Sequence, residues 1–317
     1  MRFGARALVA WLAGCLGVLA AHAAASDPKA VEVAGGVYML PGEAGEEPNA
    51  TNLGRFGNAG FIVGPSGVLV IDMGTSYRHG KALLAAIARV TDRPVKLAIV
   101  THTRQDFLFG GTAFRERGIP IAMQTAAAEL MAARCENCLK TLRQQLGDEP
   151  MEGTAMYQAD RLFDDGKAID GQALIGRKVA VLYYGHSSGP GDVAVFDERT
   201  GVLFAGGMVD RERIPDIGDS DLPGWHRALA ALRALPVKVV VPGHGPVGGP
   251  TAIDDIERYL SQLEARARAL IKADTPLSEA ADATELPDFA RWQQYDTVHR
   301  RNAAIAYLRV EREQLLK

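Results

Sequence analysis

Three histidines lie next to glycine or threonine at the ends of apolar runs that are typical of strands. Thr101-His102 follows residues 95–100, Gly185-His186 follows residues 178–184, and Gly243-His244-Gly245 follows residues 237–241. Loops at strand ends are where α/β folds place functional groups. One such histidine would more often be structural than a ligand. Three in equivalent positions favour a shared site.

The segments between these histidines alternate between strand and helix patterns. Apolar runs at residues 60–63 and 67–72 flank the turn Gly64-Pro65-Ser66-Gly67, and an amphipathic helix follows from about Gly80 to Val90. Periodicity predicts a further helix over residues 225–235 and helices over 252–273 and 287–316. Interleaved strands and helices predict an α/β domain with covered sheets.

Other polar residues near the histidines carry weaker signals. Ser187 and Ser188 follow His186, but no G-x-S-x-G sequence surrounds them, which argues against a serine hydrolase. Asp192, after Pro190-Gly191, is interpreted as a residue that caps a turn. No glycine-rich phosphate loop is present.

Two of the three cysteines form a C-x-x-C pair, Cys135 and Cys138, inside a predicted helical run at residues 126–146. Residues three apart on a helix lie within disulfide range, so an oxidising compartment favours a local disulfide. A thioredoxin-like redox role is the alternative, although that motif normally begins a helix after a strand. A zinc knuckle would need a second ligand pair nearby.

Composition and charge exclude some partners. The chain has 317 residues, 47% of them hydrophobic, and a formal net charge of -3. Without a basic surface, neither nucleic acid nor an anionic membrane is an expected partner.

The N-terminal 25 residues are typical of a secretory signal peptide. Arg2 and Arg6 precede an apolar stretch at residues 7–20, and small residues at 21–25 offer a cleavage site. We therefore expect a periplasmic or secreted protein with no integral membrane segment after signal removal. The alternative is a lipoprotein anchored at Cys15, because Leu12-Ala13-Gly14-Cys15 is similar to a bacterial lipoprotein cleavage box.

The order of the motifs resembles the metallo-β-lactamase superfamily over roughly residues 30–250. The motifs that carry the resemblance are Asn58-x-Gly60-Phe61-Ile62-Val63, Val70-Ile71-Asp72-Met73-Gly74, Thr101-His102-x-x-x-Asp106, Gly185-His186, Leu203-Phe204-Ala205-Gly206 and Val241-Pro242-Gly243-His244-Gly245. One branch, the quinoprotein relay system zinc metallohydrolases, is similar at further segments. These are Asn52-Leu53-Gly54, residues 141–154, Arg213-Ile214-Pro215-Asp216 and Gly224-Trp225.

The resemblance implies a two-zinc site built from H-x-H-x-D-H, a later histidine, a bridging aspartate and a final histidine. Four positions keep a ligand type, and Asp72 is expected to orient the metal loop by hydrogen bonding. The retained set is His102, Asp106, His186 and His244. Three of the seven positions are replaced, by Arg104, Phe107 and Gly207. Neither metal keeps the three protein ligands usual for catalytic zinc, so we expect one zinc or none.

Arg104 is the replacement with the largest electrostatic effect. A fixed cation ~4 Å from a divalent ion, at an effective dielectric constant of about 20, costs roughly 8 kcal/mol. In the favoured interpretation its guanidinium fills the vacant metal position and pairs with Asp106. In a second it points into the cleft and binds an anionic group of a ligand. In a third it swings away while His102, Asp106, His186 and His244 hold a single metal. Asp106 and Arg104 are the candidate catalytic residues.

These features predict a four-layer αβ/βα sandwich at residues 26–250, with a C-terminal helical extension at 251–317. Three functions stay open. The first is a largely non-catalytic binding or accessory protein beside quinoprotein dehydrogenases, whose partner is a small molecule or a periplasmic protein of that system. The second is a hydrolase that uses one zinc. The third is a redox accessory protein that uses Cys135 and Cys138.

Overall fold

The fold contains two β-sheets packed face to face. The computed structural model describes residues 28–43 and 45–316. The predicted signal segment and Cys15 lie outside the described residues. Within the described part of the chain, no helix is long and apolar enough to cross a membrane.

The first sheet has seven strands in sequence order. The strands are β1 (Val31–Ala34), β2 (Val37–Leu40), β3 (Ala59–Gly64), β4 (Gly67–Ile71), β5 (Val95–Ile99), β6 (Ile121–Gln124) and β7 (Arg161–Phe163). Pairing is antiparallel from β1 to β4 and parallel from β4 to β7. Strands β1 and β2 form a hairpin that turns at Gly35-Gly36, where Gly36 has a φ of 77°.

The second sheet has four strands in the order β11, β10, β9 and β8. They are β8 (Val179–Tyr183), β9 (Val193–Asp197), β10 (Val202–Phe204) and β11 (Val239–Val241). Strands β10 and β11 are parallel, whereas β8 and β9, and β9 and β10, are antiparallel. Arg177, which precedes β8, and Asp197, the last residue of β9, form a buried ion pair with an Nε–Oδ1 distance of 2.6 Å.

Nine α-helices flank the two sheets in the described chain. They are α1 (Tyr77–Val90), α2 (Gln105–Leu108), α3 (Gly111–Glu116), α4 (Thr125–Leu146), α5 (Gly171–Ile175), α6 (Leu222–Arg233), α7 (Thr251–Lys272), α8 (Leu277–Ala283) and α9 (Arg300–Leu315). Helix α6 begins at an Asp221 cap, whose carboxylate accepts from the Gly224 N–H.

Three apolar clusters define four layers. One lies between the sheets and includes Ile62, Leu69 and Val195. A second packs the outer face of the first sheet against α1, α3 and α4. The third packs the second sheet against α6, α7 and α9. The predicted αβ/βα sandwich with C-terminal helices is confirmed.

The continuous helix predicted at residues 287–316 is wrong. Its first part consists of a 3₁₀ turn at Pro287–Phe289 and a π-helical turn at Tyr295–His299, and α9 begins only at Arg300. Gln294 has a φ of 64°, a left-handed conformation that ends any preceding helix. This break lets Phe289 and Trp292 pack on Tyr259 of α7.

Candidate functional site

The predicted site residues follow strands that end at one edge of the sandwich. Asp72 follows β4, His102 follows β5, Gly207 follows β10 and His244 follows β11. Asp72 has a φ of 57°, the left-handed region, so the chain turns sharply where β4 ends. The Asp72 carboxylate accepts hydrogen bonds from the Thr101 N–H and hydroxyl at 2.8 and 2.7 Å.

His244 lies between two buried carboxylates. Its Nε2 is 2.6 Å from Asp106 Oδ2, and its Nδ1 is 2.8 Å from Asp210 Oδ1. All three side chains are at most 5% exposed. Two ionised carboxylates on opposite ring nitrogens require an imidazolium, because a neutral ring could donate to only one of them.

The pKa values in this cluster agree with that charge state. Burial alone lowers the pKa of His244, but Asp210 and Asp106 outweigh it and raise the pKa above its usual value. Burial alone would raise the pKa of Asp106. The positive charge of His244 outweighs burial and lowers the pKa of Asp106 to about 2. The cluster is therefore an ionised carboxylate–imidazolium–carboxylate group.

The loop that carries His244 is held from the opposite sheet. The Asn58 side-chain amide donates to the carbonyls of Pro242 and Gly245 at 2.9 Å, and its N–H donates to Gly243. The Phe56 ring stacks on the His244 ring, with centroids 5.5 Å apart. These contacts fix the imidazole plane between its two carboxylates.

His102 is the second buried histidine, and it has one unpartnered nitrogen. Its Nδ1 is 2.7 Å from Thr101 Oγ1. Because the Thr101 hydroxyl donates to Asp72, its oxygen accepts from Nδ1–H, which leaves Nε2 unprotonated. No described residue bonds to Nε2. Burial and the nearby Arg104 lower the pKa of His102 to about 3, so the ring is neutral.

His186 does not join the other two histidines. The residue is exposed, and its Nε2 is 2.6 Å from the backbone carbonyl of Asp219. The expected convergence of His102, His186, His244 and Asp106 is therefore absent. The ring bonds to the loop beyond it instead of facing the other histidines.

The predicted pairing of Arg104 with Asp106 is wrong. Asp106 bonds to His244, and the Arg104 Nη2 lies 3.6 Å from Asp216 Oδ2, with both side chains about one-third exposed at 34% and 31%. The reason is that the protonated imidazole of His244 already occupies the position next to the Asp106 carboxylate and neutralises its charge. Within the described residues, the Arg104 guanidinium donates no hydrogen bond, so its N–H groups face the cleft or solvent.

A small cleft of about 50 Å³ joins these groups. Its charged and histidine lining residues are His102, Arg104, Asp192, Asp216 and Asp219. Asp192, interpreted from the sequence as a turn cap, is buried, and its Oδ2 accepts at 2.5 Å from the hydroxyl of Ser188, which lies four residues earlier in the same turn. Burial raises the pKa of Asp192 to about 7.

The disulfide predicted between Cys135 and Cys138 is not formed. Both residues are free thiols on α4, with their Sγ atoms 3.3 Å apart. Interaction with Cys135 lowers the pKa of Cys138 to about 7, while the pKa of Cys135 is raised.

Sequence reasoning missed three aspartates of the site. Asp210 binds His244, and Asp216 and Asp219 form one wall of the cleft. All three lie in the segment that follows Gly207, and Asp216 belongs to the motif Arg213-Ile214-Pro215-Asp216. That motif is the signal that could have indicated Asp216, whereas no spacing rule indicates Asp210.

A family model described as the metallo-β-lactamase superfamily matches residues 53–244. The chain belongs to this superfamily. A linear primary-alkylsulfatase from Pseudomonas sp. (strain ATCC 19151) is 23% identical over 232 residues, which cover 62% of this chain but only 43% of the alkylsulfatase. A metallo-β-lactamase type 2 from Bacillus sp. (strain 170) is 23% identical over 209 residues, which cover 62% of this chain and 72% of that protein.

Solved structures of metallo-β-lactamases share the fold. The enzyme from Pontibacter korlensis superposes with a TM-score of 0.58 at 22% identity, covering 74% of this chain and 99% of that one. The enzyme from Erythrobacter litoralis, solved with β-mercaptoethanol in the active site, gives a TM-score of 0.58 at 19% identity, covering 75% and 97%. At this identity the likeness shows the fold alone.

The residues of this chain do not fit the zinc ions that the superfamily implies. Asp106 and His244 bond to each other, and the Phe107 ring lies 4.2 Å from the His102 ring and 5.1 Å from the His244 ring. A Cβ on Gly207 would lie 2.8 Å from His102 Cδ2, so a bridging aspartate has no space there without movement of His102. In the described chain, no three His, Cys, Asp or Glu residues are placed to share one ion.

Proposed function

We propose that this chain is a metal-independent binding protein of the metallo-β-lactamase superfamily. The observation that carries the proposal is the position of the His244 imidazolium between Asp106 and Asp210. A protonated histidine supplies the positive charge that a dication would otherwise supply to Asp106. A metal would have to displace that proton and also approach Arg104, and both steps are unfavourable.

We also propose that the protein acts in the periplasm as an accessory protein beside quinoprotein dehydrogenases. The signal-like N-terminal sequence supports the location. The resemblance of Arg213-Ile214-Pro215-Asp216 to the quinoprotein relay branch supports the second part, and Asp216 of this motif lines the cleft. In addition, the Arg213 guanidinium lies 5.4 Å from the Phe56 ring that stacks on His244. The test is the affinity of the purified chain for a purified quinoprotein dehydrogenase, measured by surface plasmon resonance; no saturable binding would contradict this part.

Metal analysis tests the metal-independent part. The protein is purified without added zinc, dialysed against excess zinc and then against buffer, and its zinc content is measured by mass spectrometry. We expect well below one zinc per chain, with the metallo-β-lactamase type 2 from Bacillus sp. (strain 170) as the positive control. One or two tightly held zinc ions that are lost in His102→Ala would contradict the proposal and favour the single-zinc hydrolase.

A redox accessory role is the second candidate, because the thiols of Cys135 and Cys138 lie 3.3 Å apart. Only a small movement separates this distance from an S–S bond. The test is a free-thiol count after mild oxidation and again after thioredoxin-strength reduction. Loss and full recovery of two thiols would support the role, and resistance to either step would contradict it.

A further inference from the structure

The cleft presents one unused hydrogen-bond acceptor and one unused cation side by side. His102 is 2% exposed, and its Nε2 lone pair has no partner in the described chain. Arg104 lines the same cleft, and its guanidinium meets only Asp216, at 3.6 Å. A buried lone pair without a donor is unfavourable. A ligand that donates to His102 and carries an anion for Arg104 would satisfy both groups.

Asp192 adds a second acceptor next to His102. A Cβ placed on Gly207 would lie 2.8 Å from His102 Cδ2 and 3.0 Å from Asp192 Oδ2. These distances are too short for any side chain at Gly207, so His102 and Asp192 lie close together against its backbone, and all three residues line the cleft. A donor with several hydrogens, such as an ammonium group, suits a space bordered by an imidazole lone pair and a carboxylate.

The remaining charges of the cleft are already balanced. Asp216 pairs with Arg301 at 2.7 Å, and Asp219 pairs with Arg134 at 2.7 Å. Both pairs are on the rim, where they are partly exposed. Among the described residues that line the cleft, Arg104 and Asp192 are the charged groups without such a close ion pair, and they attract each other across it. A neutral molecule with separated charges matches this arrangement better than a simple anion or cation.

We propose that the cleft binds the head group of a small α-amino acid. In this assignment, which rests on the proposed metal-independent function, the ligand carboxylate binds the Arg104 guanidinium. The ligand ammonium donates to His102 Nε2 and to Asp192. The cleft volume of about 50 Å³ supports this size, because one water needs roughly 10–15 Å³ of such space. The head group of glycine therefore fills the cleft.

Three small molecules test whether the carboxylate and the ammonium group of the ligand are both needed for binding. Glycine, acetate and methylamine are titrated into the full-length mature protein at pH 7 by calorimetry, with ligand-observed NMR for weak binding. We expect glycine to bind at least 10-fold more tightly than either acetate or methylamine. With about five heavy atoms, its Kd should be no lower than a few micromolar. Equal binding of acetate, equal binding of methylamine, or no binding of glycine each overturns the proposal.

Two variants test the assigned contacts. Arg104→Met removes the cation, and Gly207→Ala places a methyl group 2.8 Å from His102 Cδ2, which displaces the imidazole without changing the charge. Each should weaken glycine binding at least 10-fold. Arg268→Met is the matched control, because Arg268 is an exposed residue on α7 that pairs with Glu313, and it should leave the Kd unchanged. Unchanged binding in folded Arg104→Met would overturn the proposal. If either cleft variant fails to fold, the comparison of probes on the unmodified protein still decides.

Zinc content is measured on the same batches of protein. Metal-free protein that does not bind glycine overturns the amino acid assignment alone. Protein that holds stoichiometric zinc overturns the proposed metal-independent function, whatever glycine does. The two failures are therefore distinguishable.

Discussion

At the residue scale, the central feature is a histidine that neutralises two carboxylates. Asp106 and Asp210 lie on opposite sides of His244, and all three side chains are buried. Removing a water-exposed salt bridge usually changes stability by less than about 1 kcal/mol, whereas removing one member of a buried ionic group leaves an uncompensated charge. The consequence is a strong dependence of folding on one imidazole.

His244→Ala should therefore destabilise the protein by about 3–5 kcal/mol, because two buried carboxylates would face each other without a cation. The measurement is urea denaturation followed by circular dichroism. The control is Glu313→Ala, which removes an exposed ion pair with Arg268 and should cost less than about 1 kcal/mol. Equal effects of the two variants would mean that His244 carries no structural charge.

Residue identity also explains which parts of the site the sequence could predict. The positions of His102, Asp106 and His244 at strand ends follow from apolar runs and motifs. The choice of partner does not, because Asp210 reaches His244 across 34 residues and no spacing rule links them. The predicted pairing of Arg104 with Asp106 fails for the same reason: the sequence shows that the ligand is replaced, but not which cation takes its place.

At the element scale, the contact between α6 and α7 contains a charged histidine. His226 on α6 bonds to Glu257 and Glu264 on α7 at 2.8 and 2.9 Å. The Glu264 bond outweighs burial, and together with Glu257 it raises the pKa of His226 to about 9. A histidine whose pKa is raised on folding contributes its full stabilisation below its unfolded pKa of about 6.5. That stabilisation is lost as the pH rises through the folded pKa of about 9.

Unfolding free energies measured between pH 6 and pH 10 test this contact. The unmodified protein should lose roughly 1–2 kcal/mol relative to His226→Gln as the pH rises from about 6.5 to 9.5, since the partial exposure of the pair reduces the full effect. A difference between the two proteins that does not change with pH would show that His226 is neutral in the native state.

The elements themselves were predicted best where apolar residues recur regularly. The strand predicted after Pro94 and the helix predicted at residues 252–273 match β5 and α7 closely. The helix predicted at residues 287–316 failed because tertiary packing of Phe289 and Trp292 on Tyr259 overrides the local helical pattern. Gln294 adopts its left-handed conformation within that packing, which no local propensity indicates.

At the scale of the whole molecule, the C-terminal helices belong to the same core as the second sheet. Six large side chains of this region, Ile253, Ile256, Tyr259, Leu260, Leu263 and Phe289, are at most 1% exposed. Each contributes about 1.5–3 kcal/mol by burial. Their sum of roughly 9–18 kcal/mol is as large as the net stability of a typical domain.

A chain that ends at Pro250 should therefore fail to fold, because one face of the second sheet would be uncovered. The measurement is near-ultraviolet circular dichroism together with thermal unfolding, with the chain that includes residues 251–317 as reference. A cooperative transition and a native-like near-ultraviolet spectrum in the shortened chain would show instead that residues 251–317 form an independent appendage.

The most direct test of the account is the protonation state of His244 in the presence of zinc. Histidine ring nitrogens are observed by ¹⁵N NMR at pH 7, before and after addition of two equivalents of zinc, with His244→Gln used for assignment. We predict that both nitrogens of His244 carry protons and that zinc does not change their signals. A zinc-dependent loss of the Nε2 proton, with matching shifts at His102 and His186, would contradict the account.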